Sequence, residues 1–326
     1  MLLPTVAEGY VPALITRVDR AAYDVLTPDG PARVDAVPGQ GLEAPTVGDH
    51  LALTPDLEVH QRLPRTSLLA RGTARGTSVG QPLAANVDIV LICLGLSGPL
   101  PLRRLERLLT LAWESGATPV VVLTKADLCD DLEGALREVE PYAPGCAVVT
   151  VSAATGDVSA LAPYASKVLV LLGASGAGKS TVVNALLGDE VMATGDTRHV
   201  DGKGRHTTTH RELLVLPTGG VIIDTPGLRG VSLHSADEGL SLAFSDVQDL
   251  ASACRFADCG HVTEPGCAVL ASIEAGDLGQ DRVDSWRKLQ RELAFQARRT
   301  DARLQAEESR KWRTISKAQR ARGGRP

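Results

Sequence analysis

KVLVLLGASGAGKST, residues 167–181, decides the fold. An apolar, β-branched run ends in a glycine-rich loop, and STVVNALL, 180–187, continues as a helix. Residues 173–180 fit the spacing G-x-x-x-x-G-K-S. Glycines at those positions let backbone N–H groups turn inward around a phosphate, and the helix N-terminus adds its partial positive charge. Gly173, Ala174, Ser175, Gly176, Ala177, Gly178, Lys179, Ser180 and Thr181 are therefore the candidate phosphate cradle. Lys179 is expected to reach the β/γ oxygens and Ser180 to ligate magnesium.

Upstream, VDIVLICL (87–94), TPVVVLT (118–124) and AVVTVSA (147–153) are further apolar strand patterns, with helical patterns such as LRRLERLLTLAWESG (102–116) between them. Strands alternating with helices predict an α/β domain whose parallel sheet is covered on both faces. Downstream, RELLVLPTGGVIIDTPG (211–227) reads as a hairpin turning at TGG. Residues 9–60 carry short apolar stretches punctuated by Gly, Pro and Asp, the pattern of a small β-barrel. The arginine-rich stretch after it holds no acidic residue and reads as a flexible basic linker.

The phosphate loop alone does not separate ATP from GTP. TKAD, 124–127, follows the strand pattern TPVVVL and supplies a base reader. Asp127 would accept from guanine N1 and N2, donors that adenine does not present in that pattern, while the stem of Lys125 covers the base and Thr124 enters the site. In VSA, 151–153, the N–H groups of Ser152 and Ala153 would support guanine O6. Asp224, in DTPG at 224–227, would hold the magnesium shell, with the Gly227 N–H facing a γ-phosphate. GKGRHTTTH, 202–210, would close over magnesium through Thr207 or Thr208.

CRFADCGHVTEPGC, 254–267, places Cys254, Cys259, His261 and Cys267 as C-x4-C-x-H-x5-C. Three thiolates and an imidazole complete a tetrahedral zinc set with no open position, which makes one structural Zn2+ the expectation. Cys93, Cys129 and Cys146 stand alone and read as small buried or half-buried hydrophobes. In WRKLQRELAFQARR, 286–299, Trp286, Leu289, Leu293 and Ala297 share one helical stripe expected to pack on the zinc region. Residues 285–326 hold 13 Lys+Arg against 4 Asp+Glu, net +9, in a chain of net charge -5. A basic tail on an acidic body suggests a polyanionic partner.

The 326 residues exceed one compact core, and 44% hydrophobic with 22% charged residues excludes disordered and fibrous classes. No apolar run approaches the roughly 18 residues of a membrane span. The opening MLLPTVAEGYVPALI has neither the basic start nor the cleavage site of a secretory signal. A cytoplasmic protein with no membrane partner is expected, and six cysteines suit that compartment as thiols or metal ligands.

The order base reader, VSA, phosphate loop, GRHTTT, DTPG resembles the circularly permuted GTPases, in particular the ribosome small-subunit-dependent GTPase family of bacterial ribosome biogenesis factors. The likeness extends to VGD (47–49), LPR (63–65), NVD (86–88) and the cysteine cluster. It implies an OB-like β-barrel over 1–62, a basic linker over 63–81, a circularly permuted P-loop GTPase domain over 82–235, and a zinc-binding domain with a basic C-terminal helix over 236–326. It implies a monomer that binds GTP and GDP, with the small ribosomal subunit and its rRNA as partners. Hydrolysis stimulated by that subunit would time its late maturation. Two residues depart from the pattern: Thr124 stands where members usually carry Asn, and Leu228 where Ras-like enzymes place a water-orienting Gln. The resemblance makes His206, in GRHTTT, the candidate for orienting the attacking water. An RNA-binding scaffold with a degenerate pocket is the alternative, and a P-loop ATPase or kinase is disfavoured by TKAD.

Overall fold

The computed structural model describes residues 3–19, 21–36, 44–71, 81–188, 212–224 and 236–300. His206, Thr207, Thr208, Gly227, Leu228 and the basic run beyond 300 lie outside them.

Five short strands open the fold: β1 (Val11–Val18), β2 (Ala22–Thr27), β3 (Gly30–Asp35), β4 (His50–Leu53) and β5 (Val59–Arg62). They pair antiparallel in the order β3-β2-β1-β4-β5. Alternate positions point inward, so Ala13, Ile15, Tyr23, Val25, Leu51 and Leu53 share one small core. A register shift between Ile15 and Arg17 bends β1, as expected where a sheet curves toward a partly open five-stranded barrel.

The stretch read as a flexible linker is in part ordered. Strand β6 (Leu68–Arg71) pairs antiparallel with β7 (Gln81–Ala85). Leu69 is fully buried with Leu83 and Val87, and the Leu68 N–H donates to Ser115 O at 2.8 Å. Burial of one leucine on a partner strand overrides a polar, glycine-containing composition.

The central sheet has the order β10-β9-β8-β11-β13-β12, formed by β8 (Ile89–Gly95), β9 (Thr118–Thr124), β10 (Ala147–Thr150), β11 (Val168–Gly173), β12 (Glu212–Val215) and β13 (Val221–Asp224). All neighbours are parallel except the edge pair β12–β13. Val90, Ile92 and Leu94 face one side, packing against Leu105, Leu108 and Leu109 of helix α1 (Leu102–Glu114). Leu91 and Cys93 face the other, with Val182 and Val183 of helix α3 (Lys179–Leu187). Helix α2 (Leu132–Val139) connects β9 toward β10. The chain runs outward from β8 to β10, then returns to lay β11 on the opposite side of β8. That reversal makes the carboxyl ends of β8 and β11 a topological switch point, where open α/β sheets bind ligands.

Helices α4 (Asp237–Ala243), α5 (Ser245–Ser252), α6 (Ala268–Ala275) and α7 (Gln280–Thr300) complete the described chain. Gly239 brings α4 against α1, where any β-carbon would collide with the Thr110 carbonyl. Trp286, Leu289 and Leu293 of α7 are buried as expected, whereas Ala297 is exposed. The buried side of α7 also carries charge. The Arg282 guanidinium donates through Nε and Nη2 to Asp246 at 2.6 and 2.7 Å, and through Nη1 to Glu106 of α1 at 3.0 Å. Ser285 Oγ donates to the second oxygen of Glu106. Two acidic partners outweigh burial and keep Arg282 charged, while burial, opposed by Ser285 and Arg282, pushes the Glu106 carboxyl above its ordinary range. The C-terminal helices are thus joined to α1 by a buried ionic cluster.

Candidate functional site

The phosphate loop runs from the end of β11 to the start of α3. Gly173, Gly176 and Gly178 all have positive φ, 149°, 80° and 77°. Side chains rarely adopt these angles, and a β-carbon at Gly173 would lie 2.5 Å from the Cys93 carbonyl oxygen. The backbone therefore curls as the glycine spacing predicts, and the first turn of α3, Lys179 onward, borders the loop. Lys179 Nζ donates to the carbonyls of Gly173 and Ala174 at 3.0 and 2.6 Å, which bends its side chain back across the loop. Ser180 and Thr181 follow, half-buried, in that first turn. Beneath the loop, burial pushes the Cys93 thiol up to about 12, so it is a neutral packing group.

Residues 124–127 sit beside this loop. Parallel pairing aligns the end of β9 with the end of β8 and that of β8 with β11, as Gly95↔Thr124 and Cys93↔Gly173. Thr124 is 1% exposed, and its Oγ1 donates to the carbonyl of Ala177 at 2.9 Å. The Thr124 hydroxyl thus joins the end of β9 to the glycine-rich loop. Lys125 turns the chain with φ 61°, and its Nζ donates to Ser97 Oγ at 3.2 Å. Asp127 is exposed, with its Oδ1 accepting from Ser152 Oγ at 2.5 Å. Thr155 Oγ1 in turn lies 2.9 Å from Ser152 Oγ.

This geometry revises one expectation. The Val151 and Ser152 N–H groups are engaged with Leu123 O and Asp157 O, each at 2.9 Å. The Ser152 N–H expected to support guanine O6 is thus engaged within the protein, and Ser152 contributes its hydroxyl to the Asp127 carboxylate instead. Ser97 and Thr155 carry no motif signal; strand register and a bridge between Ser152 and Asp157 bring them in. Asp224 closes β13, whose neighbour β11 leads into the phosphate loop.

The second cluster lies in the C-terminal region. The donor atoms of Cys254, Cys259, His261 and Cys267 all fall within 4.8 Å of one another. Cys254 Sγ is 3.8 Å from Cys267 Sγ, and His261 Nδ1 is 3.5 and 3.4 Å from those two sulfurs. A tetrahedral zinc ion with ordinary bond lengths sets S···S near ~3.8 Å and S···N near ~3.5 Å, so the donors fit such an ion. His261 takes φ 55°, and its imidazole is held below its ordinary range by burial and by Arg287, which favours the neutral, ligating form. Arg287 donates to the His261 carbonyl, and the Trp286 ring lies 5.6 Å from the imidazole. Glu264 accepts from the N–H groups of Gly260, Val262 and Thr263, which fixes the turn between the ligands and, with its own N–H, holds its carboxyl down at about 2.

The family model described as RsgA GTPase matches residues 62–234, more than half of the chain. The Small ribosomal subunit biogenesis GTPase RsgA of Streptomyces avermitilis is 50% identical over 321 residues, covering 95% of this chain and 87% of the relative. The crystal structure of YjeQ from Thermotoga maritima superposes with a TM-score of 0.65 at 28% identity, covering 87% of this chain and 99% of that one. YloQ, described as a circularly permuted GTPase, has a TM-score of 0.62 at 23% identity over 89% of this chain and 98% of its own, a likeness of fold. With the glycine-rich loop 173–180 encoded after residues 124–127, and both at the carboxyl ends of the neighbouring strands β9, β8 and β11, this chain belongs to the RsgA GTPase family.

Proposed function

We propose that the chain binds and hydrolyses GTP as a nucleotide-dependent timer on the maturing small ribosomal subunit, acting as a cytoplasmic monomer. The observation that carries this reading is the join between base reader and phosphate loop: Thr124 on Ala177 O, with Asp127 held by Ser152 alongside. Asp127 accepts from guanine N1 and N2, and Lys125 covers the base. Gly173 to Thr181 bind the phosphates through backbone N–H groups and Lys179. Ser180, Asp224 and Thr208 would hold Mg2+, which would supply positive charge to the bound phosphates. Leu228 has no group to polarise water, so His206 orients the attacking molecule and intrinsic hydrolysis is slow.

Cys254, Cys259, His261 and Cys267 would hold one Zn2+ whose role is structural, because four protein ligands fill a tetrahedron. The barrel at 1–62 and the basic C-terminal helix of the 236–326 domain dock on rRNA, where lysines and arginines displace counterions from phosphates. Segments 202–210 and 224–235 sense the γ-phosphate and, once it is gone, release the clamp on the subunit. Sedimentation with small subunits tests the reading. Binding with a non-hydrolysable GTP analogue and release with GDP are expected; equal affinity in both states would contradict it.

A further inference from the structure

Between α5, the Cys254–Cys267 loop and the first half of α7 lies a cavity of about 420 Å3. Its lining includes Gln248, Ser252, Phe256, Trp286, Arg287 and Gln290. The volume is that of a small-molecule site rather than a packing defect. Phe256 is 41% exposed, an aromatic ring left at the surface of a chain with few aromatic residues. The Arg255 guanidinium lies over that ring, 5.4 Å from its centre. Gln248 and Gln290 are exposed, and their side-chain amides make no hydrogen bond among the described residues. Arg287 is fixed by its bond to the His261 carbonyl.

We propose that this cavity receives one unpaired nucleobase of RNA, stacked on Phe256 and paired along its edge by the amides of Gln248 and Gln290. An apolar peptide side chain would cover the amides of Gln248 and Gln290 without giving them partners, at a desolvation cost. A lone phosphate would find Arg287 but no use for the aromatic wall. A base uses every group: a planar face for stacking, and donors and acceptors at its rim. Charge agrees, since the cavity opens beside α7, whose residues 285–298 carry Arg287, Lys288, Arg291 and Arg298 against Glu292 alone. Bases within an A-form helix cannot reach such a site, so the ligand is a bulged or looped-out nucleotide. The inference rests on the reading that rRNA is the partner and adds a site to it.

The test uses the full chain purified with its metal and two RNA hairpins of equal length, one fully paired, one with a single bulged 2-aminopurine. Tighter binding of the bulged hairpin by about five- to a hundredfold, the range of base-on-aromatic stacking, is expected, with a fluorescence change of the probe. Phe256→Ala, and separately Gln248→Ala with Gln290→Ala, should bring the bulged hairpin to the paired level and leave the paired hairpin unchanged. These positions are exposed, and circular dichroism checks that the variants fold. Equal affinity of the unaltered protein for both hairpins overturns the proposal, as does discrimination that survives both variants. Discrimination that survives while small-subunit binding falls would give the cavity to a ribosomal protein and overturn it too. If nucleotide-dependent sedimentation holds while discrimination is absent, the cavity assignment fails alone; if sedimentation fails, the wider reading fails.

Discussion

Thr124 Oγ1 donates to the carbonyl of Ala177 across 53 residues of sequence, at 2.9 Å. The bond fastens the end of β9, which leads into Lys125 and Asp127, to the glycine-rich loop 173–180. Circular permutation leaves this contact intact, because the same strand ends meet whichever termini are joined. The reversed motif order therefore changes where the chain ends emerge, not how the pocket is built. Among the described residues, it places α4 to α7 next in the chain after β13, which ends at Asp224.

Thr124→Val keeps the shape and removes the donor. The Ala177 carbonyl then loses its buried partner, and a stability loss of about 1–2 kcal/mol is expected, with faster GDP release. Thermal melts and stopped-flow release of a fluorescent GDP measure both. Unchanged values would mean that the tie is dispensable.

The cluster around Arg282 predicts a larger effect. Arg282→Met strands Glu106 in the interior and should cost about 3–5 kcal/mol in denaturant unfolding. The pH dependence of Glu106 follows from burial, which raises its folded pKa above the unfolded value. Its contribution is then full below the ordinary carboxylate range and is lost as pH rises through the raised value. Glu106→Gln should flatten that part of the stability profile; an unaltered slope would assign it to another group.

Metal analysis of cytosol-purified protein should find one zinc per chain. Stripping it with a chelator removes the tie among Cys254, Cys259, His261 and Cys267, and binding energy at such a site is folding energy. Trp286, packed near His261, should report this as a shift in emission. Protein purified without zinc, with an unchanged melt, would refute the structural role.

His206→Ala should lower small-subunit-stimulated hydrolysis by about a hundredfold or more, with GTP affinity within about twofold of the parent. A stimulated rate equal to the parent's would remove His206 from the mechanism.

The legible parts were those where chemistry fixes position. Glycine at 173, 176 and 178 was readable because only glycine takes those backbone angles freely next to a phosphate. The cysteine and histidine spacing was readable because four donors must reach one ion. What stayed hidden depends on distant partners. Glu106 sits in an amphipathic helical pattern as an apparent surface charge, yet it is fully buried against Arg282, 176 residues away. Leu69 lay in a basic, glycine-containing stretch whose strand character comes from β7. No local rule turns the Ser152 hydroxyl toward Asp127, so the sequence points only to its N–H.

The central claim is that Asp127 reads the guanine ring. Asp127→Asn exchanges an acceptor for a donor, which suits xanthine, whose C2 carries a carbonyl in place of the amino group. Competition between GTP and XTP for the purified variant measures this directly: preference should pass from GTP to XTP. A variant that still prefers GTP would contradict the account.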